Sequence, residues 1–489
     1  MNFTEPRFAW FLLAVFTLWL ICRRFERAQV GLVLVASLVF YGVGNWRLLP
    51  LILVYAVVNW AVGCRLRATT RPRLVLGLGV AFNLGVLAYF KYTPMLLTTL
   101  HDAFVALGWP PTPLAQEGWA IPFGISFYAF TGIAYMVDVY RRTTDAERHL
   151  GRYALSVTFF PHLVAGPILR PSEYLTQLRP GHVPTQSLAP LEACLLLARG
   201  FFKKMVLADR IALAIDPFFV HVKDSSTAGV WALPFVYLYA WQIYFDFSGY
   251  TDIARGLGLL FGFRWPDNFN LPYLAGSIAE FWHRWHITLS RFLRDYLYIP
   301  LGGSRGGWWR TNVNLMLTML LGGLWHGASW SFMLWGAIHG LLLVLHRCWQ
   351  LLPVSKRLAS ATGPAGWLWR GLCVGLTFHL VAFVWCFFRL TTLAQSWACL
   401  SGCFQFDPGL WRVGVVDKMG LWLLLAGYGL VVALAFRLSR LHFEPTQLPR
   451  PAVATLSRGF LWGFGVTMFV LAILLSPGGQ APPFIYFQF

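Results

Sequence analysis

Two histidines stand out by type and spacing. His326 lies in Gly322-Gly-Leu-Trp-His-Gly-Ala-Ser329, with glycines on both sides that let backbone or a ligand approach closely. An imidazole there can deprotonate a hydroxyl or be acylated itself. General-base help of that kind is worth roughly 10²–10⁴ in rate. A histidine merely hydrogen-bonded at a helix junction is the plainer account, and the glycine and tryptophan setting argues against it. His283 lies in Glu280-Phe-Trp-His-Arg-Trp-His286. On a helix Glu280 and His283 are i and i+3, so the carboxylate can orient the ring or raise its basicity. Ser290 falls on the same face by spacing. His286, three residues from His283, admits a shared metal, but no third ligand follows at suitable spacing and no metal is expected. The third candidate is the chain end, Pro482-Pro-Phe-Ile-Tyr486-Phe-Gln-Phe489, which is too apolar to float in water and is expected to dock. Tyr486 there is either a covalent acyl carrier or part of a hydrophobic plug at the interface.

These residues sit in an apolar chain. Of 489 residues, 57% are hydrophobic and only 12% charged, about half the charge of an average soluble domain. Apolar runs recur near the 20 residues that span a bilayer as helix, roughly eleven to thirteen of them. Ionisable groups at that depth are costly and usually face a cavity with a function. Asp246, Asp252, Asp267, Arg284, Arg294 and Asp295 read as scaffold, in acid–base pairs that hold a polar cavity. His162, Arg170 and His339 read as structural.

The net charge of +19 is split into short clusters between apolar runs. The positive-inside bias and anionic headgroups account for it, and no nucleic acid is expected. The eight cysteines lie in or beside apolar runs and read as small buried hydrophobes. A bridge between Cys399 and Cys403 is the alternative. No Walker loop, G-x-S-x-G elbow or H-E-x-x-H is present.

The positioning elements follow from the runs. Residues 8–22 precede Arg23, Arg24 and Arg27, which places that end inside and the N-terminus outside. No basic stretch leads this run, so it is expected to stay as a spanning helix. Further spans are expected at 29–44, 47–63, 74–100 and 121–142, then at 188–215 and 229–262. Later ones are expected at 310–325, 329–346, 367–388, 419–436 and 459–476. Residues 153–180, apolar but broken by Pro161, Gly166 and Pro167, read as a re-entrant element walling the core, or as an amphipathic loop. The last span runs outward and leaves the tail outside.

At these residues the chain resembles the membrane-bound O-acyltransferase (MBOAT) family, in particular its alginate O-acetylation branch. The teichoic-acid D-alanylation branch is a cousin. The resemblance rests on segments spread from about residue 120 to the end. Among them are Phe160-Pro-His-Leu-Val-Ala-Gly-Pro-Ile-Leu-Arg170, Tyr244-Phe-Asp-Phe-Ser-Gly-Tyr-Thr-Asp252, Phe281-Trp-His-Arg-Trp-His-Ile-Thr-Leu-Ser290, Leu324-Trp-His-Gly-Ala-Ser329 and the terminal Phe-Ile-Tyr-Phe-Gln-Phe. It implies an all-α polytopic membrane fold around a central cavity, formed by the whole chain as one unit. Residues 1–119 would be N-terminal helices, 120–350 the catalytic core, 351–476 C-terminal helices and 477–489 an external tail. It places His326 as the catalytic histidine, His283 as the second one, and Tyr486 as a possible relay. The implied donor is acetyl-CoA from the cytoplasm and the acceptor an exported polysaccharide such as alginate or cellulose. The implied partner is a periplasmic SGNH-type acetyltransferase, and the site is the inner membrane with both termini outside. D-alanyl transfer from a carrier protein is the rival within the class. A transporter using its histidines as a proton relay is the rival outside it, and the inverted repeats that would favour one are not evident.

Overall fold

Inside a bilayer the backbone must satisfy its own hydrogen bonds, so an apolar chain of this kind folds into helices. The computed structural model describes residues 3–108, 121–163, 166–179, 190–225, 232–405 and 417–440, with isolated positions between 412 and 484, and no strand occurs among them. Five helices among the described residues are long and apolar enough to cross a membrane: Glu26–Gly44, Trp46–Ala68, Pro72–Ala106, Trp330–Leu351 and Gly363–Arg389. Pro6–Ile21 and Met419–Leu430 are shorter apolar helices. The sequence count is larger because it takes in interior helices that carry polar residues. Leu233–Leu260 holds Asp246 and Asp252, and Gly307–His326 holds Asn312 and Asn314. Most of the run at 459–476 lies outside the described residues.

Two compact units are built from interleaved segments, Met1–Leu188 with Leu257–Thr377, and Ala189–Gly256 with Phe378–Gln488. In the first, the helix Ile125–Arg141 is buried along most of its length. The spans before it are tied by a ladder of amides. Asn83 donates to Asn59 Oδ1 at 2.7 Å, and the Tyr55 hydroxyl donates to the Asn83 carbonyl at 2.9 Å. Bonds of this kind between helices substitute for the hydrophobic drive that lipid does not supply. The broken stretch after Leu150–Thr158 forms short helical pieces, Phe160–Leu163 and Pro171–Tyr174. Phe159, Phe160, His162, Ile168 and Leu169 are all buried there, so the irregular backbone lies within protein.

Gly307–His326 and Trp330–Leu351 form a tight hairpin in the same unit. A Cβ at Gly336 would lie 2.3 Å from the Met319 carbonyl oxygen, and one at Gly323 equally close to that of Phe332. Gly336 and Gly340 are four apart, the small-residue spacing that lets membrane helices touch backbone to backbone.

The second unit holds a buried ion network. Lys204 reaches Asp209 at 2.7 Å and Asp246 at 2.8 Å, while Lys203 reaches Asp252 at 2.8 Å. Arg199 grips Asp252 through two nitrogens, at 2.6 and 2.8 Å. Asp246 and Asp252 thus take the scaffold role read from the sequence. Both lysines lie in a π-helical turn, Phe202–Ala208. Phe484 of the tail is fully buried, with its ring 4.2 Å from that of Tyr250. All eight cysteines are free thiols, so the Cys399–Cys403 bridge does not form. The two are i and i+4, and the Cys403 thiol points to the Cys399 carbonyl, 3.4 Å away.

Candidate active site

His326 is the last residue of its helix, and its ring is buried. The hairpin turn is fixed by Ser329, whose hydroxyl accepts the Phe332 N–H at 3.3 Å and caps the second helix. Two indoles hold the His326 imidazole edge to face. Trp325 lies 4.9 Å away between centroids and Trp335 lies 5.0 Å away. Beyond Trp335 stands His339, at 4.6 Å, one turn further along the same helix. On the other side of Trp325 stands His286, at 6.2 Å. Three histidines therefore alternate with two tryptophans, in the order His286, Trp325, His326, Trp335, His339. Phe130 stacks on the outer face of Trp325 at 5.1 Å and on Phe292 at 4.0 Å, which holds the indole in place.

His286 owes its position to a break in the helix. Ile278–Arg284 ends, Trp285 is extended, and His286 takes a left-handed conformation at φ 43°. Asn268 supports that strained turn. Its side-chain oxygen accepts from His286 Nδ1 at 3.0 Å, from the Thr288 N–H at 3.1 Å and from the Thr288 hydroxyl at 2.9 Å. The acceptor fixes the tautomer, so the proton is on Nδ1 and the lone pair on Nε2. His286 and His326 therefore flank one indole, that of Trp325, each a buried imidazole of the kind that can act as a general base.

Residues 146–395 match the membrane-bound O-acyltransferase family. The chain belongs to that family. It is 38% identical over 439 residues to the "Probable alginate O-acetylase AlgI" of Pseudomonas aeruginosa, covering 88% of this chain and 80% of that protein. With the protein of the same name from Pseudomonas putida it shares 37% identity over 484 residues, 95% of each. With the "Peptidoglycan O-acetyltransferase" of Helicobacter pylori it shares 36% over 395 residues, 75% of this chain and 72% of that one. This is a multi-pass membrane O-acyltransferase.

The acyltransferase does not place His283 as its spacing predicted. That ring is exposed, and Nδ1 donates to the Ala279 carbonyl at 2.7 Å. Glu280 turns away from it, accepting from Arg284 at 2.6 Å and from the Gly276 N–H at 2.8 Å. Burial would raise the Glu280 pKa, but these donors outweigh it and hold the carboxyl below the usual range, ionised and engaged. Because the helix breaks at Trp285, Ser290 leaves the face of His283 and bonds to the Trp285 carbonyl instead. No group of three metal-ligating side chains occurs among the described residues. Tyr486 lies outside the described residues.

Asp295 is held by Arg170 and by Arg294, the latter at 2.7 Å, and these outweigh its burial to keep the carboxyl below the usual range. Arg170 and Asp295 thus form a scaffold pair. Two residues of the site escaped the sequence reading. One is His286, read only as a neighbour of His283. The other is Lys91, whose ammonium reaches the last carbonyls of the His326 helix. The signal for Lys91 was a lone cation inside an apolar run.

Proposed function

We propose that this acyltransferase takes an acetyl group from acetyl-CoA on the cytoplasmic side and passes it across the membrane for O-acetylation of an exported polysaccharide of alginate or cellulose type. The observation that carries the reading is the buried imidazole of His326 between two indoles, with a second, tautomer-fixed imidazole at His286. The names of these relatives support an acetyl group and an envelope or exported glycan. CoA is charged and confined to the cytoplasm, and the polymer hydroxyls lie outside, so only the small acyl group needs to cross. His326 attacks or activates at the constriction. In the first case its nitrogen takes the acetyl carbon and the CoA thiolate leaves. In the second it removes the proton of the Tyr486 hydroxyl, whose oxygen takes the acetyl carbon as the CoA thiolate leaves. In both cases Tyr486 receives the acetyl as an ester and releases it outside to a periplasmic SGNH-type acetyltransferase. The protein sits in the inner membrane with both termini outside. D-alanyl transfer from a carrier protein is the alternative.

One reconstitution tests the reading. Liposomes holding the protein are given labelled acetyl-CoA or a labelled D-alanyl carrier protein. Label from acetyl-CoA should reach the acceptor with wild type and not with His326→Ala, and Tyr486→Phe should lose transfer. Full transfer by His326→Ala removes the assignment, and full transfer by Tyr486→Phe leaves that residue a plug.

A further inference from the structure

The span Pro72–Ala106 is apolar, yet Lys91 is buried within it. Its winding widens into a π turn at Ala88–Tyr92, a distortion frequent at functional sites. The Lys91 ammonium has three N–H donors, and all three are spent. They reach the Trp325 carbonyl at 2.6 Å, the His326 carbonyl at 3.0 Å and the Ser126 hydroxyl at 3.4 Å. The adjacent Tyr92 hydroxyl donates to the Leu324 carbonyl at 3.1 Å. Three successive carbonyls at the end of the His326 helix are thus held by two neighbouring residues of another span.

A helix leaves its last four carbonyls without partners. The common remedy is a left-handed glycine just after the end. Gly327 stands at that place, but it is extended, at φ −162°, and gives no such closure. Lys91 and Tyr92 do the work instead, and a cation at a helix C-terminus is also favoured by the dipole. No carboxylate pairs with Lys91 among the described residues. A buried cation without a counter-charge is expensive. A neutral cap would satisfy the same oxygens, so stability alone does not explain the choice. The residues matched to the family begin at 146, downstream of Lys91.

We propose that Lys91 is a positioning residue for His326, fixing through its main chain the turn from which the imidazole works. It does not touch substrate, because none of its donors is left over. The inference rests on His326 as the acyl-transfer centre.

The test is kinetic, on protein in nanodiscs, with acetyl-CoA as probe and thiol release and acceptor acetylation as readouts. Lys91→Met keeps the length and removes charge and donors. A misplacement of about 1 Å costs about 10²-fold, so kcat per folded protein should fall about that far with the KM for acetyl-CoA changed less than about twofold. Lys91→Arg, which keeps charge and donors, should recover part of the loss, and Tyr92→Phe should lower kcat by a smaller factor. A cap that only stabilises would lower the melting temperature and leave kcat per folded protein unchanged in Lys91→Met, and that result overturns the proposal. If Lys91→Met does not fold, Lys91→Arg and Tyr92→Phe decide, and full kcat in both overturns it. His326→Ala is run beside them. Inactive His326→Ala with fully active Lys91→Met sinks this inference alone, whereas active His326→Ala sinks the reading beneath it.

Discussion

Gly336→Ala should separate the two helices that carry the site. The added methyl would stand 2.3 Å from the Met319 carbonyl oxygen. A carbon–oxygen contact is comfortable at about 3.3 Å, so the backbones must part by about 1 Å. Neither side can yield by a side-chain rotation, because the opposing atoms are main chain: after that oxygen come the Met319 carbonyl carbon at 3.1 Å and the Gly323 Cα at 3.2 Å. The shift falls next to Trp335, whose ring sets the orientation of His326 at 5.0 Å. Overpacking of this kind costs about 1–3 kcal/mol, and a 1 Å displacement of a catalytic group about 10²-fold in rate. The variant should therefore be expressed, melt at lower temperature and transfer acyl groups about 10²-fold more slowly per folded molecule. Two comparators separate this from a general effect of alanine. Gly322→Ala meets only the Leu293 Cδ1, at 3.2 Å, a side chain that can move, and should be mild. Gly371→Ala meets nothing within 4 Å and should be silent. A Gly336→Ala protein with wild-type rate and melting temperature would refute the backbone contact and the argument that joins it to the site.

The two further histidines are told apart by parallel substitution. His286→Ala should lose at least 10²-fold in transfer, in the range of general acid–base help, while His283→Ala stays within about threefold. Equal losses would return the second-histidine role to His283. In the ion network, Asp252→Asn leaves the buried Lys203 ammonium facing a neutral amide. Removing one partner of a buried pair costs about 3–5 kcal/mol. The lower end applies, because the Arg199 side chain is 52% exposed and water relieves its charge. A melting temperature equal to wild type would show that the pair carries no stability.

His326 was legible because its signal is local. Glycines and a tryptophan at a junction of apolar runs mark a close-packed turn whatever lies elsewhere in the chain. His286 was not legible, for a physical reason. Spacings of three and seven assume one continuous helix from Glu280 to Ser290, and that helix breaks at Trp285. What stabilises the break is far off in sequence. The Asn270 N–H donates to the Arg284 carbonyl and the Ile287 N–H to the Asn268 carbonyl, each at 2.9 Å. Periodicity along ten residues carries no trace of a partner eighteen residues upstream. The run around Lys91 reads as a helix from its hydropathy, and its charge leaves little trace there because one lysine barely alters the hydropathy of a 35-residue run. Of the ion pairs, the acidic members were recognisable as scaffold, but the pairing of Asp252 with Lys203 and Arg199 needed the packing of two helices.

The residues with chemistry share one property of the backbone. His326 ends a helix, His286 begins one in a left-handed turn, Lys91 lies in a π turn, and Lys203 and Lys204 lie in another. Within a regular membrane helix every N–H and C=O is spent on its neighbours, so the main chain can neither hold a polar side chain nor be held by one. Only where the winding stops or widens are carbonyls and amides released. There they need partners, and in a dry interior those partners must be side chains. The carbonyls of residues 324–326 take Lys91 and Tyr92, and the turn at 286 takes Asn268. A polar centre in an apolar chain is therefore built at helix defects, and each defect calls in a residue from elsewhere in the sequence. That is why the histidine proposed to react can be read from its own segment, while the residues that hold it in place are found only once the helices are packed.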